Sequence, residues 1–121
     1  MFSITAESER RALRATLLLL LISTLLHLLV AGRIALSVDE AHYALYGLKL
    51  DWSYFDHPPM VGWLQAMVLP FSQSEWSLRL WPAVLMALSG GLLYRLSREL
   101  FPKESPWVAF VAVLFLQSAI I

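Results

Sequence analysis

The 121-residue chain contains no cysteine. Disulfides, thiolate metal sites and cysteine nucleophiles are excluded, and the redox compartment is left open. Charge is scarce: 15% of the residues are Asp, Glu, Lys or Arg, against about 25% in soluble domains. Lysine occurs only as Lys49 and Lys103, and neither ends a Gly-x-x-x-x-Gly run, so there is no phosphate-binding P-loop. Nine basic residues balance nine acidic ones. No basic excess exists to serve a nucleic acid partner. What fills the space is apolar: 59% of residues are hydrophobic and the mean hydropathy is +0.65. This is the composition of a membrane protein.

The apolar residues come in blocks. A first membrane span is read at about 14–32, where "ATLLLLLISTLLHLLVAG" holds no Asp, Glu, Lys or Arg and is about as long as a bilayer requires. A signal peptide competes, because Arg10, Arg11 and Arg14 precede the run. The length of the run, the lack of an Ala-x-Ala cleavage site and the later apolar segments favour a span. A second span is read at about 76–95, with Trp76 and Trp81 suited to the water–lipid boundary, Pro82 in its first turn and Ser89-Gly90-Gly91 offering close approach to another helix. From Pro106 the chain is apolar again and reads as the start of a third span, about 106–121. The whole therefore reads as the N-terminal part of a longer protein. Arg10, Arg11 and Arg14 flank one span, and Arg95, Arg98 and Lys103 follow the other. Basic flanks stay cytoplasmic. The N-terminus is thus expected inside and the loop 33–75 outside.

That outer loop holds most of the chemistry. Asp39-Glu40-Ala41-His42 spells a helicase box, but without a P-loop, and outside the cell, an ATPase reading fails. Ser37 and Glu40 instead fit a capping box, which starts a helix from Val38 to about Leu50. Ala41, Ala44, Leu45 and Leu48 fall on one face of it, and Asp39, His42, Tyr43 and Tyr46 on the other. The pattern is that of a helix lying on a membrane with its polar face up. Asp39 there suits a general base or metal ligand; a favourable charge at a helix N-terminus is the plainer account. Next, Pro58 and Pro59 stiffen the turn carrying Asp56 and His57, a pair that could take a divalent metal cation. A second interfacial or re-entrant helix is expected from Pro59, with Met60, Trp63, Leu64, Met67 and Val68 at helical spacing.

Asp39-Glu40 at the loop entry, "YFDHPP" at Tyr54–Pro59 and an arginine, Arg79, leading into the second span together resemble the start of the membrane glycosyltransferases that use polyprenyl-phosphate sugars. These include protein O-mannosyltransferases, aminoarabinose transferases of lipid A and the lipopolysaccharide-core transferases of rhizobia. The resemblance implies an all-α membrane protein, transmembrane helices with an outer loop of amphipathic interfacial helices, as at the start of a C-type glycosyltransferase fold. It implies Asp39 and Asp56 as catalytic acids, with Glu40, Tyr43, His57 and Arg79 as candidate substrate-binding residues and Asp56 and His57 as candidate ligands of a divalent metal cation. Arg79 also reads as an interfacial anchor that snorkels to the membrane surface. Aminoarabinose transferases carry a lysine and one proline where this chain has His57 and two prolines, which argues against that subgroup. A neutral imidazole is also a poorer phosphate ligand than lysine. The implied partners are membrane lipid, a polyprenyl-phosphate sugar donor, and a glycan, lipid or protein acceptor, at a bacterial inner membrane with the loop in the periplasm. Two other readings stand beside this one. One is a small non-catalytic membrane interaction or assembly protein, or an inactive remnant. The other is a metal-binding or transporter segment using Asp39, His42, Asp56 and His57.

Overall fold

A computed structural model of the protein describes residues 5–118. Every regular element among them is a helix: α1 (Ala6–Ala31), α2 (Val38–Leu48), α3 (Met60–Val68), α4 (Glu75–Leu78), α5 (Leu80–Leu100) and α6 (Pro106–Ser118). Two stretches, Ala6–Ala31 and Glu75–Leu100, are long and apolar enough to cross a membrane. The chain is an all-α membrane protein. It divides into two compact units, one of residues His27–Ala83 and one that joins the chain up to Leu26 with the chain from Val84 onward.

α1 begins eight residues before the span at about 14–32 that the apolar run suggested, counting from Ala6. Local chemistry explains the extension. Thr5 caps the helix by accepting from the Ser8 amide at 3.2 Å. Glu7 and Glu9 lie in the first turn, where the helix dipole favours anions. Glu7 also pairs with Arg11 one turn on. At the second stretch, Arg79 (φ −94°, ψ 3°) interrupts the helix between α4 and α5. Pro82 then sits in the first turn of α5, where a missing N–H costs nothing. α5 runs on to Leu100, beyond the expected end near residue 95, and stops before Pro102. α6 occupies the segment expected to open a third span, whose last residues, 119–121, lie outside the described ones.

In the unit that contains α6, Leu20 of α1, Tyr94 of α5 and Ala109 and Val113 of α6 form the core. Gly90 lies against this contact: a Cβ there would meet Leu20 Cδ2 at 2.5 Å and Gln117 Nε2 at 3.0 Å. The small-residue patch thus admits neighbours at Gly90, while Gly91 faces open space. Gln117 is buried. It accepts from Ser23 Oγ at 2.9 Å and donates to the Met86 carbonyl at 3.3 Å, as a polar group away from water must. Arg98 closes the polar end by donating to the Glu9 carboxylate and to the Phe101 and Glu104 carbonyls, at 3.3 and 2.8 Å. Leu17, Leu18, Leu21, Ile22, Leu25 and Leu29 of α1 remain more than half exposed, a surface that suits lipid.

In the other unit α2 packs on α3. Contact is closest at Gly47, where a Cβ would lie 2.7 Å from Gln65 Cβ and 2.9 Å from the Ala66 backbone nitrogen. Gln65 in turn donates to the Leu78 carbonyl at 2.8 Å, tying α3 to α4. Backbone cannot swing aside as a side-chain tip can. Gly47→Ala should therefore destabilise the protein by about 1–3 kcal/mol, while Gly91→Ala, which lies inside α5 and meets nothing within 4 Å, should stabilise it by up to about 1 kcal/mol. Thermal unfolding of the purified protein in detergent, followed by circular dichroism, reads both.

Candidate functional site

The entry to α2 is held from a distance. Its capping box is formed: Ser37 Oγ accepts from the Glu40 amide at 3.2 Å, and Glu40 Oε2 accepts from the Ser37 amide at 2.8 Å. Glu40 has a second partner. Arg79, 39 residues later, donates through Nε to Glu40 Oε1 at 2.6 Å and through Nη2 to Glu40 Oε2 at 2.7 Å. The remaining guanidinium hydrogens go to backbone carbonyls. Nη1 serves Ala31 and Ile34 (2.7 Å for the latter), and Nη2 serves Ala35 at 3.1 Å. All five guanidinium donors are engaged. The Ala31 carbonyl belongs to the last turn of α1, whose final carbonyls lack an intrahelical N–H donor and which carries no basic residue. Arg79 supplies both a donor and the positive charge that a helix C-terminus favours. Its hydrogen bonds, reinforced by those of Ser37 and opposed by partial burial, hold the Glu40 carboxyl down at about 2.

A second cluster lies between α2 and the 51–57 turn. The turn closes on itself through the Tyr54 amide, which donates to the His57 carbonyl at 3.3 Å. Tyr46 Oη donates to Asp56 Oδ1. His57 Nδ1 lies 3.1 Å from that same oxygen, and His57 Nε2 lies 3.1 Å from Tyr43 Oη. Tyr46, Asp56, His57 and Tyr43 thus form one polar row, hydrogen-bonded at its two ends; at its centre the buried His57 Nδ1 lies near Asp56 without making a hydrogen bond. The Tyr46 hydroxyl first, and His57 second, hold the Asp56 carboxyl below the usual carboxylate range. The same contact with Asp56 pushes the Tyr46 phenol up to about 12. Aromatic rings support the row. Tyr46 stacks on Tyr54 with centroids 4.0 Å apart and on His42 at 5.2 Å. Tyr54 is anchored by the Tyr46 and Lys49 carbonyls, at 2.9 and 3.2 Å. It fills the space over Gly62, where a Cβ would come within 2.4 Å of its hydroxyl.

The sequence placed Tyr43 and Tyr46 on an upward, solvent-facing surface of α2. Both are only half-exposed, because the turn folds back over them. The apolar face opposite is the open one: Leu45 is 57% and Leu48 61% exposed. Of the candidate residues, the fold brings Asp56, His57 and Tyr43 together in one cluster and Glu40 and Arg79 together in another. Asp39 is exposed and bonded to none of the described side chains. It stands one helical turn before His42 and Tyr43, on their face of α2. Tyr46 and Tyr54 are the members that sequence reasoning left out of the site. Their signal was present: Tyr43 and Tyr46 are spaced three apart, and Tyr54 opens the same "YFDHPP" turn. For a metal, Asp56 and His57 offer one carboxylate and one imidazole. Among the described residues no group of three His, Asp or Glu side chains could hold an ion.

Residues 56–121, more than half of the chain, match a family described as dolichyl-phosphate-mannose-protein mannosyltransferase. The chain belongs to the dolichyl-phosphate-mannose-protein mannosyltransferase family. The matched stretch opens on Asp56 and takes in His57, Arg79 and α3 to α6; the Asp39–Glu40 helix precedes it. Membership of this mannosyltransferase family makes the chain glycosyltransferase-like and an integral membrane protein. It implies, in general terms, a lipid-linked sugar donor and a protein or glycan acceptor. No curated protein and no solved structure matches the chain.

The Glu40–Arg79 pair sets a pH dependence. Glu40 has its folded value lowered from 4.5 to about 2. Its contribution to stability is therefore complete above about pH 4.5 and is lost as pH falls through about 2. Glu40→Gln should remove that contribution: its melting temperature should lie below that of the unsubstituted protein at pH 6, and the two should converge towards pH 2. Thermal melts across that range provide the measurement.

Proposed function

We propose that the chain provides the acceptor-activating part of a glycosyltransferase that moves a sugar from a polyprenyl-phosphate donor to a hydroxyl acceptor at the outer face of the membrane. The observation that carries this reading is the row Asp39, Tyr43, Tyr46 along one face of α2, set against Asp56 and His57 of the turn. An isoprenoid donor keeps its tail in the bilayer and its sugar phosphate at the surface. A carboxylate on a helix whose opposite face is apolar and open lies at that height. The basic flanks at Arg10, Arg11 and Arg14 and at Arg95, Arg98 and Lys103 support an outer position for the loop between them.

Asp39 is unencumbered by any ion pair with the described residues and takes the proton from the acceptor hydroxyl. The acceptor oxygen attacks the anomeric carbon, the bond from that carbon to the phosphate oxygen breaks, and polyprenyl phosphate leaves with the electron pair. A single displacement inverts the anomeric centre. Asp56 and His57 face the phosphate, with His57 held by Tyr43 and Asp56 by Tyr46. Their side chains supply only two ligands, so a divalent cation fits here only if phosphate oxygens complete its shell. Such a cation would add positive charge beside the leaving group. Glu40 and Arg79 serve substrate binding indirectly, by fixing the helix that carries Asp39.

The test is transfer by the purified full-length protein that contains this sequence, in liposomes carrying polyprenyl-phosphate hexoses. Asp39→Asn should lower kcat about 10²- to 10⁴-fold, with a stability loss of no more than the roughly 0.3–1 kcal/mol that a first-turn charge contributes. If the full-length protein that contains this sequence transfers sugar from none of these donors, the proposal is wrong. Tyr46→Phe keeps the ring stack but frees Asp56. It should cost a smaller factor, about 3- to 10-fold, as the loss of one hydrogen bond implies, read in the same assay.

A further inference from the structure

The same turn has a second concave surface, on the side of Asp51 and Trp52. Leu50, Asp51, Trp52 and Trp63 line an open hollow of about 310 Å³. The indoles of Trp52 and Trp63 meet at 89° with centroids 5.7 Å apart, so they form two walls of a corner. Trp63 is fixed, because its Nε1 donates to the Asp51 carbonyl at 3.1 Å. Trp52 is 84% exposed and presents its ring to whatever enters. One oxygen of the Asp51 carboxylate accepts from the Trp52 amide at 2.6 Å. The side chain has no cationic partner among the described residues.

We propose that this corner is a subsite for a single hexopyranose ring. A pyranose has an apolar C–H face and a rim of hydroxyls. The indole of Trp52 matches the face, and the free Asp51 oxygen accepts from the rim. The size of the hollow, near the lower end of the range for ligand sites, admits one ring rather than a chain. A lipid tail would also cover the indoles, but it would strand the Asp51 carboxylate in an apolar contact at high cost. The subsite is wired to the reaction centre: Tyr54 Oη accepts from the Asp51 amide at 3.3 Å, and the Tyr54 ring stacks on the Tyr46 ring that holds Asp56. This inference rests on the sugar-transfer reading above and adds where a sugar ring sits.

Saturation-transfer NMR of the purified protein in nanodiscs, with methyl α-D-mannopyranoside as the probe, tests it without requiring turnover. Saturation of the ring protons is expected with the unsubstituted protein and with Asp39→Asn. Trp52→Ala should weaken the probe's apparent affinity about 3- to 10-fold, the range for loss of one aromatic contact. Trp52→Phe should retain most of it, and Asp51→Asn should weaken it by a similar factor. In the transfer assay, Trp52→Ala raises the KM of the donor if the ring is the donor's, or that of the acceptor if it is the acceptor's; either supports the subsite. Saturation that is absent, or indifferent to Trp52→Ala and Asp51→Asn, overturns it. So does quenching of the protein's fluorescence by brominated lipid that disappears in Trp52→Phe, because the indole then lies in the bilayer. Loss of transfer in Asp39→Asn with probe binding intact separates the two proposals.

Discussion

One guanidinium organises the loop between the two long helices. Arg79 gathers the carbonyls of Ala31, Ile34 and Ala35 and the carboxylate of Glu40 around a single planar group. Four pieces of chain that share no regular hydrogen-bond ladder are thereby fixed relative to each other. Lysine, a point charge with three donors, cannot reproduce a fork with five. Because Glu40 is also the N3 residue of the α2 capping box, the direction of α2 follows from this knot. The positions of Asp39, Tyr43 and Tyr46 follow from α2. The interruption of the helix at Arg79 belongs to the same arrangement, since it separates α4 from α5 at the residue whose side chain reaches back.

The parts of this arrangement that were legible in the sequence are those with short-range signatures. Ser37 and Glu40 announced the start of α2, and the two prolines announced the start of α3. "YFDHPP" pointed to the glycosyltransferase families. The helices extend beyond the apolar runs that mark the spans, and hydropathy sees only the apolar stretch. The polar first two turns of α1 are helical through capping and the Glu7–Arg11 pair, which carry no hydropathy signal. The partners of Arg79 were hidden for a different reason. Three of its four acceptor residues contribute backbone oxygen, which every residue has and no letter marks. Tyr46 was placed on the correct face of α2 but assigned to water. Only the return of the turn through Tyr54, eight residues on, gives it Asp56 as a partner.

Polar groups in this molecule are few, and several of them tie elements together. Gln117 bridges helices, Arg98 closes a turn against Glu9, and Gln65 joins α3 to α4. The apolar majority needs no such precision, because a leucine on α1 can meet a lipid chain in many orientations. Specificity is thus concentrated in a small number of directional contacts. The segment between Ser37 and Arg79 holds the densest set of them.

The distance in sequence between Glu40 and Arg79 also imposes an order in time. The carboxylate is synthesised 39 residues before its guanidinium, an interval of roughly 2–8 s at 5–20 residues per second. During it, α2 can be capped only by Ser37, and the last carbonyls of α1 lack their cation. The loop reaches its final form only when the segment beginning the second long helix has been made. Insertion of that helix and maturation of the site are therefore one event, so a chain halted before residue 79 carries the Asp-Glu pair without the group that aims it.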